Sequence, residues 1–298
     1  GVRLVNCARG GIIAEEDLAE AVKQGIVAGA AIDVYTSEPV GLDHPLVGVP
    51  GIVLTPHLGA STVEAQIGVS LDVSKGILAA LKGEPVATAV NMAPVSPQVM
   101  KVIAPYLTLA ERLGGTVMAL AEGPVQKVEV LYNGEITEVN TGMLTTAVIK
   151  GMLNPIMENE VNYVNAPGLA KERGIKVTEV KAKEVEDFAN LITVKAMIGG
   201  KELTVQGTLF GSEGRIVRIN KFRVDVDPHA RILVCPHINR PGVIGTVGTL
   251  LGAKQINISG MQVGKTELEG TNLMVLTIDN DIPADVMEAV KAIDGIFD

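Results

Sequence analysis

Three short, mainly apolar segments in the first sixty residues decide the fold class: Val2-Arg3-Leu4-Val5-Asn6, Ala28-Gly29-Ala30-Ala31-Ile32-Asp33-Val34 and Gly51-Ile52-Val53-Leu54-Thr55-Pro56. They run near-continuously apolar rather than alternating, the pattern of strands buried on both faces in a parallel sheet. Between the first two, residues 15–24 put Leu18, Ala21 and Val22 on one helical face, and Gly25 stops the helix. Strand, helix, strand with short links predicts a parallel, doubly wound α/β sheet of Rossmann type, and a partial one. The chain starts on Gly1 rather than Met and enters the first apolar segment at once, so the expectation is a fragment whose beginning lies upstream.

Further along, residues 61–82 carry the longest helical pattern. Ser61 or Thr62 can cap it, Glu64 follows, and Ile67, Leu71, Ser74 and Leu78 continue one face. Gly83 can end this helix, and the Pro-rich stretch 84–97 is the expected interdomain linker. Residues 98–226 read as an α+β unit: a helix over 99–120, strands near 125–132 and 177–180, a helical stretch at 145–164, and strands across 191–226. In the last of these, alternation over 201–210 and 215–224 predicts a half-exposed antiparallel sheet. Residues 229–298 read as β-α-β-β-α. Strands fall at 231–235, 256–265 and 272–279, the middle pair joined by a polar turn. Helices fall at 243–253 and 284–293, and a fourth strand begins at Ile296. The expected divisions are 1–95, 96–226 and 227–298.

Charge and composition narrow the function. The formal net charge of −9 would repel nucleic-acid phosphates, so no nucleic acid is expected as a partner. No apolar run reaches the roughly 18 residues of a membrane span. No signal peptide is visible, and no metal site is expected. The two cysteines, Cys7 and Cys235, each follow an apolar run. They read as buried free thiols of a reducing cytoplasm.

Three motifs then carry chemistry: Asn6-Cys7-Ala8-Arg9-Gly10-Gly11; Ala31-Ile32-Asp33-Val34-Tyr35 followed by Glu38-Pro39; and Thr55-Pro56-His57-Leu58-Gly59-Ala60-Ser61-Thr62. Each follows an expected parallel strand, where open α/β sheets place their ligands. A histidine can take a hydroxyl proton near neutral pH, a carboxylate can orient and stabilise its charged form, and an arginine can grip a substrate carboxylate in two-point fashion. His57, Glu38 and Arg9 suit those roles. A strand-end His or a Gly-flanked Arg can equally be structural, and Pro-His recurs at Pro236-His237. In this order and spacing the motifs resemble those of the D-2-hydroxyacid dehydrogenases. The resemblance implies NAD as cofactor, His57 as acid/base, Glu38 as its partner and Arg9 as the substrate-orienting residue. It implies that Asp33 meets the nicotinamide carboxamide and that Cys7, Ala8, Arg9, His57, Leu58, Gly59 and Ala60 line the cofactor. The glycine fingerprint G-x-G-x-x-G is absent, so this chain alone is expected to bind NAD poorly and not to turn over.

A second constellation is His237-Ile238-Asn239-Arg240-Pro241-Gly242 before a helix, with Gln255-Ile256-Asn257-Ile258 after it. A helix start can face a carboxylate, and Asn supplies both donors and acceptors for an amino acid. Asn239 as a helix cap and Asn257 as a turn residue are the structural alternatives. Residues 231–298 resemble an ACT domain, a ferredoxin-like βαββαβ module with the last strand cut short here. That implies L-serine binding by His237, Asn239 and Asn257, between subunits of a homo-oligomer, dimer or tetramer, paired edge to edge. Residues 98–226 resemble the intervening, allosteric substrate-binding domain of the longer phosphoglycerate dehydrogenases. Arg215, Arg218, Lys221 and Arg223 there could meet a phosphate, or simply form a solvated strand face. The whole implies oxidation of 3-phospho-D-glycerate to 3-phosphooxypyruvate, the entry to serine biosynthesis. Another D-2-hydroxyacid dehydrogenase, or a non-catalytic amino-acid-binding regulator, remains the alternative.

Overall fold

Strands β1 (Val2–Asn6), β2 (Val27–Ile32) and β3 (Ile52–Leu54) pair in parallel in the order β1-β2-β3. The computed structural model describes residues 1–82, 84, 86, 88–92, 95–184, 187–265 and 270–297. They fall into two units, Gly1–Leu81 and Lys82–Asp298. In the first, helix α1 (Glu15–Lys23) packs Leu18 and Ala19 against Val27, Ala30 and Ile32 of β2. Its first turn is acidic, which suits the positive end of the helix dipole, and Gly25 leaves it in the left-handed conformation. Helix α2 (Val63–Leu81) begins where Thr62 Oγ1 accepts the Ala65 N–H, one of the two expected caps.

The second unit is built on a six-stranded sheet of β4 (Val125–Gly134), β5 (Lys176–Ala182), β6 (Asn190–Ile198), β7 (Lys201–Phe210), β8 (Glu213–Ile219) and β9 (Phe222–Val226). The order is β5-β4-β6-β7-β8-β9, with only β4 and β5 parallel. Helices α3 (Pro97–Ala119) and α4 (Gly142–Leu153) cover one face. They approach closely because Gly114 and Gly151 face the partner backbone: a Cβ at either would run into the Val148 or Glu111 carbonyl oxygen. Beside that contact the Lys150 ammonium sits 2.8 Å from both Glu111 carboxylate oxygens.

A smaller sheet of β10 (Arg231–Ile238), β11 (Ile258–Lys265) and β12 (Thr271–Ile278) has the order β10-β12-β11 and is antiparallel throughout. Its two faces have different partners. Leu233, Cys235, Met274 and Leu276 pack under α6 (Val243–Ala253) and α7 (Ala284–Lys291). Leu273 and Val275 join the core of the six-stranded sheet beside Phe222, Val224 and Val226. The expected regulatory module therefore shares a hydrophobic core with its neighbour. Only residues 227–230 separate β9 from β10.

Three expectations need correction. The first and third segments are not buried on both faces: β1 and β3 are the edges of the sheet, and Val5 is 70% and Val53 63% exposed. The helical stretch 145–164 is α4, a 3₁₀ turn at Asn154–Ile156, a loop, and then α5 (Ala166–Glu172). Pro155 cannot extend α4, and Asn162 and Asn165 hold the loop by bonding its backbone N–H groups. Cys7 is exposed, because it lies in the turn after β1 rather than in a core, whereas Cys235 is buried as expected. The expected helix stop Gly83 and the turn at 266–269 lie wholly, and the expected linker 84–97 in part, outside the described residues.

The close α3–α4 contact makes a prediction. Gly151→Ala should destabilise the second unit by about 1–3 kcal/mol, the usual cost of overpacking. Urea denaturation followed by circular dichroism reads this, and an unchanged midpoint would contradict the contact.

Candidate active site and effector site

The loops after β1, β2 and β3 hold the first constellation. Asn6, buried at the end of β1, accepts the Ala8 N–H at 3.1 Å and donates to the Arg9 carbonyl oxygen at 3.0 Å. This Asx turn reverses the chain so that Arg9 stands at the carboxyl end of the sheet. Arg9 Nη1 donates to the Ala8 carbonyl oxygen at 2.6 Å, and no carboxylate among the described residues pairs with the guanidinium. Gly10 packs so closely on the Tyr35 carbonyl that a Cβ there would overlap it. The Arg9 turn is thereby seated on the loop after β2.

Asp33, 7% exposed, accepts the Thr55 hydroxyl at 2.6 Å, the Leu58 N–H at 2.8 Å and the Gly59 N–H at 3.2 Å. The Thr55 bond first, then the Leu58 N–H, hold its carboxyl below the ordinary carboxylate value. The clasp folds residues 55–59 back over the end of β2. It fixes His57 at φ 57°, a left-handed conformation that non-glycine residues seldom adopt. Held so, His57 Nδ1 lies 2.7 Å from Glu38 Oε2. The other Glu38 oxygen accepts the Tyr35 N–H at 3.0 Å. The His57 bond, and then the Tyr35 N–H, lower the Glu38 pKa, so Glu38 is ionised at neutral pH. A carboxylate can only accept, so the imidazole proton lies on Nδ1 and the Nε2 lone pair is free.

Glu38 and His57 line a cleft of about 560 Å³ with Tyr35, Pro39, Val40, Val47, Leu54, Thr55 and Pro56. Arg9 is not among its lining residues. Both Glu38 and His57 are about 40% exposed. Of the other expected cofactor residues, Cys7, Ala8, Gly59 and Ala60 lie on the exposed loops and Leu58 is 47% exposed. The Leu58 and Gly59 N–H groups are already taken by Asp33. Among the described residues Asp33 Oδ2 accepts only the Gly59 N–H and keeps a lone pair for a further donor. Sequence reasoning missed Thr55 and the work of Tyr35, whose hydroxyl donates to one of two backbone oxygens, Ile32 O at 3.0 Å and Thr55 O at 2.8 Å.

In the smaller sheet His237 is 1% exposed, and its Nδ1 lies 2.8 Å from the Ile238 carbonyl oxygen. That oxygen can only accept, so Nδ1 carries the proton. Nε2 is then a buried acceptor, and it has no partner among the described residues. Asn239 is exposed and does not cap α6; the cap is Gly242, in the left-handed conformation and without a side-chain bond. Asn257 is elsewhere. Its Nδ2 donates to Asp279 at 2.6 Å, beyond the end of β12 remote from His237, about 20 Å away at the rise of a strand. One chain does not bring Asn257 together with His237 and Asn239. Of the basic stretch, Arg215 pairs with Glu213 and Arg223 with Asp187, as on a solvated face of mixed charge. Among the described residues no group of His, Cys, Asp and Glu could hold a metal ion.

Residues 1–59 match the family of the D-isomer specific 2-hydroxyacid dehydrogenase NAD binding domain, residues 102–220 the D-3-phosphoglycerate dehydrogenase intervening domain, and residues 232–295 the ACT domain. The chain is 42% identical over its whole length to the D-3-phosphoglycerate dehydrogenase of Archaeoglobus fulgidus, covering 57% of that protein. It is 41% identical to that of Bacillus subtilis and 40% to that of Synechocystis sp. Each match covers 99% of this chain, and 56% and 54% of those relatives. The chain thus spans a little over half the length of these relatives.

The Asp33 clasp makes a pH prediction. A carboxyl depressed below its ordinary 3.8 contributes stability that is fully present above that value and is lost as pH falls through the lower folded-state value. Hydrogen-exchange protection of the Leu58 and Gly59 amides should therefore hold at neutral pH and collapse in acid. In Asp33→Asn the Gly59 amide should be unprotected throughout. Protection of Gly59 in that variant equal to wild type would contradict the clasp.

Proposed function

The chain belongs to the D-3-phosphoglycerate dehydrogenase family, and from that premise we propose that the protein carrying it oxidises 3-phospho-D-glycerate to 3-phosphooxypyruvate with NAD. The observation that carries this reading is the 2.7 Å bond between Glu38 and His57 at the carboxyl end of a parallel sheet. It leaves His57 Nε2 able to take the proton of the 2-hydroxyl group as hydride leaves the same carbon. A bound NAD would supply the acceptor for that hydride. Asp33 would hold its carboxamide, and the loops carrying Cys7, Ala8, Leu58, Gly59 and Ala60 would line it. Glu38 stabilises the imidazolium that forms. Arg9, with no carboxylate partner among the described residues, is available to grip the carboxylate of the substrate and orient the carbinol carbon.

The domain reading is three pieces, 1–95, 96–226 and 227–298, the last an amino-acid sensor. The partnerless Nε2 of buried His237 supports it, because a serine ammonium or hydroxyl group would satisfy that acceptor. The separation of Asn257 from Asn239 favours a site shared between two copies of the chain, and so a homo-oligomer. The reading includes a cytoplasmic enzyme. Among the described residues no helix is long and apolar enough to cross a membrane.

In the full-length enzyme His57→Ala should lower kcat by about 10²–10⁴, with the Kd for NAD changed less than about threefold. Unimpaired turnover would reject the acid/base role. Asn239→Ala should weaken serine binding in calorimetry while leaving kcat near wild type. Equal serine affinity would reject the effector site.

A further inference from the structure

A second carboxylate–imidazole pair lies in the same unit, outside the cleft. Glu15, at the start of α1, accepts the Thr36 N–H at 2.8 Å through Oε1 and lies 3.1 Å from His44 Nε2 through Oε2. Both side chains are largely shielded, 15% and 11% exposed. His44 Nδ1 accepts the Leu46 N–H at 3.3 Å. The proton of the neutral ring is therefore on Nε2, directed at Glu15. The Tyr35 and His44 rings meet edge to face at 5.5 Å and 83°. Burial is the largest influence on Glu15 and would raise its pKa; the bonds from Thr36 and His44 outweigh it and leave the pKa lowered. Glu15 is thus a carboxylate with both oxygens engaged.

The position of this pair gives it a use. Thr36 follows Tyr35, whose N–H holds Glu38, whose carbonyl seats the Arg9 turn through Gly10, and whose hydroxyl bonds at the end of β3 near His57. Glu15 and His44, neither of which lines the cleft, grip that same two-residue segment. Nothing else among the described residues bonds the Thr36 N–H.

We propose that Glu15 and His44 are a positioning pair for the acid/base dyad, holding the Tyr35–Thr36 segment so that Glu38 stays in register with His57. The pair touches neither substrate nor cofactor and acts through the loop. The inference rests on the reading of His57 and Glu38 as acid and base. Its chemistry is specific. Two donors, the Thr36 N–H and the His44 Nε2–H, require two acceptor oxygens on one side chain. A glutamine has the shape of Glu15 but one acceptor, so in either amide orientation it sets a donor against a donor.

The test uses the full-length enzyme in single turnover. Enzyme carrying stoichiometric NADH is mixed with saturating 3-phosphooxypyruvate, or hydroxypyruvate should only that be reduced, and loss of NADH absorbance is followed. The amplitude counts competent enzyme, whereas the rate constant reports how well each competent molecule is arranged. Glu15→Gln should lower the rate constant at least about tenfold, as small misplacements of catalytic groups do, with amplitude retained. His44→Asn keeps an acceptor for the Leu46 N–H but cannot reach Glu15, and should do the same. The double variant should be no slower than the slower single, since both changes break one linkage.

Rate constants within about twofold of wild type in both single variants, at full or reduced amplitude, would overturn the proposal. So would additive losses in the double variant. His57→Gln separates the two readings. If it is slow while Glu15→Gln and His44→Asn are not, only the positioning role falls. If it matches wild type, or wild type reduces neither substrate, the acid/base reading falls and the positioning role with it.

Discussion

The hydrogen bond between Glu38 and His57 is the constraint around which the first unit is arranged. The two residues sit on loops after different strands, nineteen positions apart, and neither loop is held by regular structure. Three local devices bring them to 2.7 Å. Asp33 gathers Thr55, Leu58 and Gly59 and sets the backbone of His57. Tyr35 anchors Glu38 through its N–H and the end of β3 through its hydroxyl. Gly10 lets the Arg9 turn lie on the Tyr35 carbonyl. Each device ties a loop to a strand end or to another loop, so the geometry of the three parallel strands passes directly to the three loops.

Much of this was legible in the sequence. The order of apolar segments and short turns gave the parallel strands, although only β2 of the three is largely buried. Arg9, Glu38 and His57 could be chosen because each follows such a strand. Tyr35, Thr55, Glu15 and His44 were not legible as parts of a site. Their contacts join residues 20, 22 and 29 positions apart by single hydrogen bonds, and no periodicity records such a bond. Glu15 reads as a first-turn helix residue and His44 as a loop residue, and both descriptions are true without revealing that the two meet. The break at Pro155 was written in the sequence. Apolar residues on both sides of it kept a helical rhythm that concealed the loop.

In the second unit, the smaller sheet buries one face under its own helices and the other in the core of the six-stranded sheet. Cores pack at crystal-like density and do not deform continuously. A ligand at His237 would therefore act on a module joined to its neighbour through Leu273 and Val275, not on a tethered bead. The partnerless Nε2 of His237 lies on the opposite side of that sheet from the shared core, since His237 follows Leu233 and Cys235 in the alternation of β10. The buried imidazole and the shared core thus occupy the two faces of one strand.

The central claim is that Glu38 fixes the tautomer of His57, leaving Nε2 as the base. Long-range proton–nitrogen correlation of the imidazole rings reads it most directly, and four histidines keep the spectrum tractable. The account predicts the His57 ring proton on Nδ1, shifted downfield by its carboxylate partner, with that shift lost in Glu38→Gln. A neutral His57 ring with its proton on Nε2 and a bare Nδ1 would contradict it.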